Sequence, residues 1–386
     1  MQKLRNIECL KVTVLKPPSL RTNQRFGQSS RHSRLIKEFT LARMQVSLTR
    51  VLAPCLLLAN VQALANEFHP TWRPGSIGPK VSGQAAACRE KVFSFGGLLG
   101  SAGSPTTDEL WAFDDGRWTK VKTGAHTPGR RMYAASAMLE GAFYMFGGWD
   151  PGAPGTGGTF KEDSWRLDLE SLEWKPLAQL PCGPVSRHTA VTVGDKIVLH
   201  TFREKVVVCE GEVIREQSTS GEAPVGLSMC AAAALGADAM LIFGGSTKTQ
   251  GMSADAFVLD TRTWAWRKLR PTSVERPSPR GSCCAAAIDP STCIVFGGAG
   301  LGGGGYQGGS GLTPFDETWK LTVDGEECHW ERLSVEAPLP AARVAASLSA
   351  LPSGELLLHG GWSPSTKETF DESWLLNVAP YSWTHD

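Results

Sequence analysis

The sequence is poor in features that would indicate a particular chemistry. It has only four tyrosines in 386 residues, no Cys-x-x-Cys pair, and eight histidines that never form a cluster. Metal ligands usually recur at short, characteristic spacings, so we expect no metal site and no other cofactor. After residue 66 no stretch keeps the 3.6-residue period of an amphipathic helix. The chain is instead rich in glycine and tryptophan, with 42 and 13 residues.

Glycine pairs recur along the chain, each at the end of a short apolar run. They are Phe95-Gly96-Gly97, Phe146-Gly147-Gly148, Phe243-Gly244-Gly245, Phe296-Gly297-Gly298 and His359-Gly360-Gly361. One interval is about twice as long as the others, which indicates a degenerate copy between the second and third pairs. Short alternating runs repeated at this period are typical of β-propeller blades rather than helical repeats. Six repeats are therefore expected.

Each repeat also carries acidic and aromatic residues at fixed places. An acidic residue precedes a strand-like run that usually contains Trp, and a further Trp follows a turn. Nine of the thirteen tryptophans fill these two places. The first run of each repeat is rich in small residues, as in Ala85-Ala86-Ala87 and Cys230-Ala231-Ala232. Small side chains fit around a propeller axis, and tryptophans fill the wider space between outer strands.

The combination of apolar run, Gly-Gly, acidic residue, aromatic strand and later Trp resembles the Kelch repeat. The resemblance covers about residues 80–386 and is strong in five units. It implies an all-β fold, a six-bladed Kelch-type β-propeller of four-stranded antiparallel blades. The third blade is degenerate, because His200-Thr201 stands where Gly-Gly is expected. The expected blades are about 80–123, 130–176, 186–217, 227–270, 280–333 and 343–386.

Two segments compete to close the ring of blades. The last repeat ends with its own strand around Trp383, within residues 381–385. Thr71-Trp72, ahead of the first repeat, also has the pattern of a fourth strand. Trp72 either joins the last blade, in place of or beside the Trp383 strand, or packs at the edge as a lead-in.

The first 65 residues have the composition of targeting sequence. They contain 11 of the basic residues and two acidic ones, which leaves 28 basic and 36 acidic residues, a net charge of about −8, for the rest. Residues 44–65 resemble a signal peptide with Ala63-Leu64-Ala65 as its cleavage site. Residues 1–43 form a basic presequence that is either transit-like or lies upstream of an internal start at Met44. The predicted location is the secretory pathway or outside the cell. The alternative is the thylakoid lumen of a plastid, reached by a bipartite presequence. The apolar core is too short for a stable membrane span.

The propeller region, residues 66–386, contains eight cysteines. Export would permit disulfides, and Cys293 could face Cys283 or Cys284 across a hairpin of the fifth repeat. The preferred interpretation is that these residues act as small buried hydrophobic side chains, because four of them lie in the small-residue inner runs.

A recurring Pro-x-x-Arg marks the connections between repeats. Strand direction alternates within a blade, so these connections should share one face with the loops that follow the glycine pairs. The predicted ligand-binding arginines are Arg131, Arg187, Arg280 and Arg343, placed as a ring near the channel mouth, with Lys80 and Leu227 at the corresponding places of the first and fourth repeats. Guanidinium groups would suit a carboxylate or phosphate. The alternative is structural, with each arginine pairing with an acidic residue such as Glu162 or Glu317.

Three aromatic residues on the same face are further binding candidates. Trp149 and Trp362 each follow a glycine pair directly, and Tyr306 lies in the glycine-rich stretch 298–311. None of them fills a structural place in the repeat. Spare aromatic side chains often anchor binding surfaces, although covering a neighbouring loop is an equal alternative.

Two classes of function fit these residues. The first is a non-catalytic binding or scaffold module that presents the arginine and aromatic face to a protein or acidic peptide. The second is a propeller enzyme acting on small molecules or carbohydrates without a metal, similar to sialic-acid mutarotases. A copper radical oxidase would require a Tyr-Cys cofactor and His ligands that have no counterpart here. Acidic residues at the third strand belong to the repeat pattern, so no catalytic residue is predicted. The acidic domain disfavours nucleic acid as a partner.

Overall fold

The computed structural model describes residues 70–378 except 101–103, 153–155, 248–250 and 302–310. All of these residues belong to one compact unit, Phe68–Asp386. The predicted presequence, signal segment and cleavage site, together with Tyr306 and the Trp383 strand, lie outside the described residues. The described part of the chain contains no helix with the length and hydropathy of a membrane span.

The predicted six-bladed propeller of antiparallel blades is confirmed. Within each blade, strands a to d follow from the channel outwards. Blade 1 consists of Ala85–Cys88, Val92–Phe95, Leu110–Asp114 and Arg117–Val121, and blade 2 of Ala135–Leu139, Ala142–Phe146, Ser164–Asp168 and Trp174–Pro176. Blade 3 consists of Thr189–Val193, Lys196–His200, Val206–Glu210 and Val213–Gln217, and blade 4 of Ala231–Leu235, Ala239–Phe243, Ala256–Asp260 and Ala265–Lys268. Blade 5 consists of Cys284–Asp289, Thr292–Phe296, Thr318–Asp324 and Glu327–Arg332, and blade 6 of Ser347–Ala350, Leu356–His359, Glu372–Asn377 and Thr71–Ile77.

Short additional strands decorate this framework. Ser220–Gly221 and Arg270–Pro271 add a parallel fifth strand to the outer edges of blades 4 and 5. Four two-stranded ribbons stand on the loop face of blades 1, 2, 4 and 5: Val81–Ser82 with Leu98–Leu99, Trp149–Asp150 with Thr159–Phe160, Ser246–Thr247 with Gly251–Met252, and Ala299–Leu301 with Leu312–Pro314.

The ring is closed by the strand that contains Trp72. Thr71–Ile77 pairs antiparallel with Glu372–Asn377 and forms strand d of blade 6. The first described strand therefore completes the last blade and closes the propeller. Of the alternatives that the sequence leaves open, the structure shows Trp72 in the outer place of this blade.

The outer tryptophans fill the seams between blades, as the sequence predicts. In five of six seams, the Trp of strand d contacts the ring of the last strand-b residue in the preceding blade, with centroids 4.4 to 6.0 Å apart. The pairs are Trp118 with His359, Trp174 with Phe95, Trp266 with His200, Trp330 with Phe243, and Trp72 with Phe296. Blade 3 has no such Trp, which is one sign of its degeneracy.

The glycine pairs are explained by a close approach between neighbouring blades. A Cβ on Gly96 would lie only 2.5 Å from the Arg131 carbonyl oxygen, while the next amide, of Gly97, donates to that same oxygen at 2.8 Å. Both glycines also have positive φ, which side chains disfavour. In blade 3 this contact is made differently, since the His200 ring Nε2 donates to the Leu227 carbonyl at 3.1 Å. Blade 3 thus keeps four strands but has only residues 201–205 between strands b and c.

All eight cysteines of the propeller region are thiols without a disulfide partner. Cys293 lies opposite Ala287 in the strand register of blade 5, whereas Cys284 lies opposite Phe296. The two positions are therefore not cross-strand neighbours. Six of the eight are buried, which agrees with their interpretation as small hydrophobic side chains.

Candidate binding site at the channel mouth

A closed ring of backbone hydrogen bonds surrounds one mouth of the channel. One residue from the connection into each blade donates its N–H to the carbonyl of its counterpart in the preceding blade, at 2.6 to 3.0 Å. All six residues have positive φ, between 53° and 63°. Since the last donates to the fifth and the first to the last, the ring has no end. Its members are Gly83, Tyr133, Arg187, Met229, Ser282 and Ala345.

Below this ring lies an open cup of about 210 Å³. Its wall comes from the first residues of all six a strands, and most of them are Ala, Ser, Thr or Cys. Arg187 is the only Lys, Arg, Asp or Glu among the described residues that line the cup. Because no carboxylate faces it there, the cup favours an anionic ligand.

Arg131, Arg280 and Arg343 do not reach this cup. Their side chains are 1%, 0% and 0% exposed. Each donates to the carbonyl of the first glycine in its own blade's pair and forms an ion pair with the acidic residue that begins or precedes strand c. The ion pairs are Arg131 with Asp163, Arg280 with Glu317, and Arg343 with Glu372, at 2.6, 2.7 and 2.5 Å. The predicted ring of four ligand-binding arginines is thus corrected, because three guanidinium groups are enclosed by partners of the fold.

Arg187 differs because its place in the repeat is shifted. The carbonyl that accepts from the preceding blade's second glycine belongs to Arg131, Arg280 or Arg343 in their blades, but to Val185 at blade 3. Arg187 comes two residues later, on the hydrogen-bonded ring. The Pro-x-x-Arg spacing therefore groups two different positions. In blade 1 the accepting carbonyl belongs to Val81, so the expected place of Lys80 is one residue early.

The Arg187 guanidinium contacts two aromatic rings. Its Cζ is 4.9 Å from the centre of the Tyr133 ring and 5.5 Å from that of Trp149. It forms no ion pair with a described carboxylate. Aromatic stacking holds the guanidinium in place without neutralising its charge, which leaves its donors available to a ligand.

The two candidate tryptophans stand on the face that the sequence predicts. Trp149 forms a bridge with Met132, and Trp362 with Val344, so each loop after a glycine pair meets the connection entering its blade. Both are half-buried. Trp149 stacks on Phe160, with centroids 6.0 Å apart, and contacts Arg187. Trp362 instead has Lys367 over its ring, and no described contact joins it to Arg187.

Sequence reasoning missed the polar side chains in the wall of the cup. Gln84 Oε1, Thr189 Oγ1 and both ring nitrogens of His188 are buried and have no hydrogen-bond partner among the described residues. Burial lowers the pKa of His188 to about 3, so this ring is neutral. Gln84 and His188 directly follow members of the hydrogen-bonded ring, and Thr189 comes one residue later. Knowledge of this register would have indicated them.

Family models and known proteins agree with this architecture. The model of the KLHDC2/KLHL20/DRC7 Kelch-repeats domain matches residues 206–385, and that of the Kelch motif matches residues 130–181. The chain belongs to the Kelch-repeat propeller family. Kelch domain-containing protein 2 of Bos taurus is 23% identical over 72% of this chain and 60% of its own length. Acyl-CoA-binding domain-containing protein 5 of Arabidopsis thaliana is 21% identical over 69% of this chain and 41% of its own length.

These matches cover less than two thirds of either relative. The solved structure of YjhT has a TM-score of 0.60 and 19% identity, over 81% of this chain and 98% of that chain. Likeness at this level of identity shows the fold.

The acidic residues at the start of strand c in blades 2, 5 and 6 are held in ion pairs with arginines of the fold. Burial alone would raise the pKa of Glu317 and of Glu372, but hydrogen bonds from Arg and Trp side chains hold both pKa values below the usual range. Neither residue lines the cup. In the described part of the chain, no three His, Cys, Asp or Glu side chains are grouped as a metal site requires. The arrangement suits binding of an anion better than proton transfer.

Proposed function

We propose that this Kelch propeller is a non-catalytic binding module that recognises an anionic group of a protein or peptide partner at the channel mouth. The observation that carries the proposal is Arg187, whose guanidinium contacts the Tyr133 and Trp149 rings and forms no ion pair with a described carboxylate. It lies beside a cup with no acidic side chain among its described lining residues. Trp149 and Trp362 supply aromatic surface on the same face. A Kelch propeller is a rigid support for such loops.

A direct binding measurement tests this function. Fluorescein-labelled oligo-glutamate is titrated against the protein by fluorescence anisotropy, with oligo-glutamine as the uncharged peptide control. Arg187→Ala should weaken oligo-glutamate binding at least about tenfold, since a charge-assisted guanidinium contact is lost. Arg117→Ala removes an exposed arginine from the opposite face and should leave binding unchanged. Equal binding by wild type and Arg187→Ala, at equal thermal stability, would contradict the proposal.

We also propose that the module acts outside the cytosol, in the secretory pathway. The support is the sequence pattern of residues 44–65, with its short apolar core and Ala63-Leu64-Ala65. Fractionation of cells that express the full chain with a C-terminal tag tests this. A shortened product inside secretory vesicles or the medium is expected, a shortened product in plastids would favour the thylakoid route, and an uncleaved cytosolic product would contradict both.

A further inference from the structure

The loops around the channel mouth are unequal in length, and the shortest belongs to blade 3, the blade that the Arg187 connection enters. In blades 1, 2, 4, 5 and 6 the connection between strands b and c is long, and each bridges to the connection that enters its blade. In blade 3 this connection is residues 201–205 alone, and no described ribbon stands on it. The loops that surround the mouth therefore leave a gap over blade 3.

A second arginine lies at this gap between the loops. Arg203 lies in the turn 201–205, is exposed, and forms no ion pair with a described carboxylate. Of its charged neighbours, Lys205 is paired with Glu216 at 2.7 Å, whereas Glu204 is exposed. Arg187 at the inner rim and Arg203 farther out lie on the same face of the same blade. A negatively charged chain passing over blade 3 would meet both.

One side of the gap is aromatic. The ribbon of blade 2 carries Trp149 and Phe160, which stack on each other, and Phe160 is 48% exposed. The other side is the ribbon of blade 4, Ser246–Thr247 with Gly251–Met252. An extended segment between these ribbons would have apolar contact on one side and arginine donors beneath it.

The size of the cup limits what it can hold. Pockets that enclose a whole small molecule usually measure roughly 300–1,000 Å³, whereas the cup measures about 210 Å³. It fits one side chain, so a larger ligand must continue outside it. The short connection of blade 3 leaves a gap through which a continuing chain could leave the mouth.

We propose that the partner is an extended acidic peptide segment that places one Asp or Glu side chain on Arg187 and leaves the channel mouth across blade 3, past Arg203. This rests on the function proposed above and specifies the ligand class and its path. The observations that carry it are the short connection 201–205, two arginines that form no ion pair with a described carboxylate, and the exposed Phe160.

The test lengthens the b–c connection of blade 3 and compares the effect with that of lengthening another b–c connection. A short Gly-Ser insertion between Arg203 and Glu204 should weaken oligo-glutamate binding about tenfold or more, because the path is blocked. The same insertion between Ser104 and Pro105, in the blade 1 connection, should not. Arg203→Glu should weaken binding as well, while the matched reversal Arg117→Glu on the opposite face should not. Thermal unfolding confirms that each variant is folded.

Competition with free glutarate distinguishes binding at Arg187 from the path across blade 3. As a competitor it should displace oligo-glutamate from wild type, and its own affinity should depend on Arg187 but not on the blade 3 insertion. If Arg187→Ala abolishes binding but the insertion and Arg203→Glu leave oligo-glutamate affinity unchanged, the path is wrong and the proposed function stands. If wild type does not bind oligo-glutamate, or Arg187→Ala binds it normally, both proposals are overturned.

Discussion

The guanidinium of Arg343 donates through Nη2 to Oε1 of Glu372 at 2.5 Å and lies 4.0 Å from the centre of the Phe370 ring. The same side chain donates through Nη1 to the Gly360 carbonyl at 3.0 Å, and its own carbonyl accepts from the amide of Gly298 in blade 5. One arginine thus ties the end of strand b, the start of strand c and the preceding blade together. Arg131 and Arg280 repeat this arrangement, so it stabilises three of the six blade junctions.

Loss of the carboxylate in this pair should be costly. Glu372→Gln leaves a buried guanidinium without its counter-charge, and we expect the free energy of unfolding to fall toward the lower end of roughly 3–5 kcal/mol, since Glu372 is itself partly exposed. Glu355→Gln is the matched control, because Glu355 pairs with the exposed Arg73 at 2.9 Å. It should cost about 1 kcal/mol or less. Urea unfolding measures both, and equal losses would contradict the structural role of Arg343.

Acid should destabilise the propeller through its buried histidines. Burial lowers the pKa of His188 to about 3 and the pKa values of His200 and His359 to about 4. The unfolded chain therefore takes up protons before the folded protein does. The stability that these neutral rings contribute is complete above about pH 6.5, and it is lost as the pH falls toward 4.

A variant of His188 isolates this effect. His188→Met removes two ring nitrogens that have no hydrogen-bond partner, and it should reduce the loss of unfolding free energy by roughly 1 kcal/mol per pH unit between about pH 6.5 and 4. Chemical denaturation at a series of pH values provides the measurement. His329→Gln changes an exposed histidine and should reproduce the wild-type profile. A His188→Met profile parallel to wild type would mean that folding does not lower the pKa of His188.

The buried thiols should be unreactive while the propeller is folded. Burial raises the pKa of Cys283 and of Cys328 to about 11, and that of Cys209 to about 12. Thiolate is the reactive form, so iodoacetamide at neutral pH should label these three sites much more slowly in native protein than in urea. Peptide mapping by mass spectrometry reports each site separately. Rapid native labelling of Cys283, which lines the cup, would show that the blades open there.

The repeat could be predicted from sequence because the packing of the blades requires particular residue types at fixed positions. Gly96 must lack a side chain where it meets the Arg131 carbonyl, and Trp174 must fill a seam against Phe95. The binding site could not be predicted in the same way. Arg187 and Arg131 share a Pro-x-x-Arg pattern, yet a two-residue shift places one at the channel mouth and the other inside an ion pair. Only the hydrogen bond accepted by Val185 reveals that shift.

Ring closure depends on Trp72, and its removal should weaken the whole propeller. The indole packs against Phe296 with centroids 5.3 Å apart, and its Nε1 donates to Thr318 Oγ1 at 3.1 Å, so it joins blade 6 to blade 5. Trp72→Ala should lower the free energy of unfolding by roughly 3–5 kcal/mol, the usual cost of deleting a buried aromatic side chain. Trp362→Ala, at a half-buried loop position, should cost much less. Near-native stability of Trp72→Ala in urea unfolding would mean that another segment takes the outer place of blade 6.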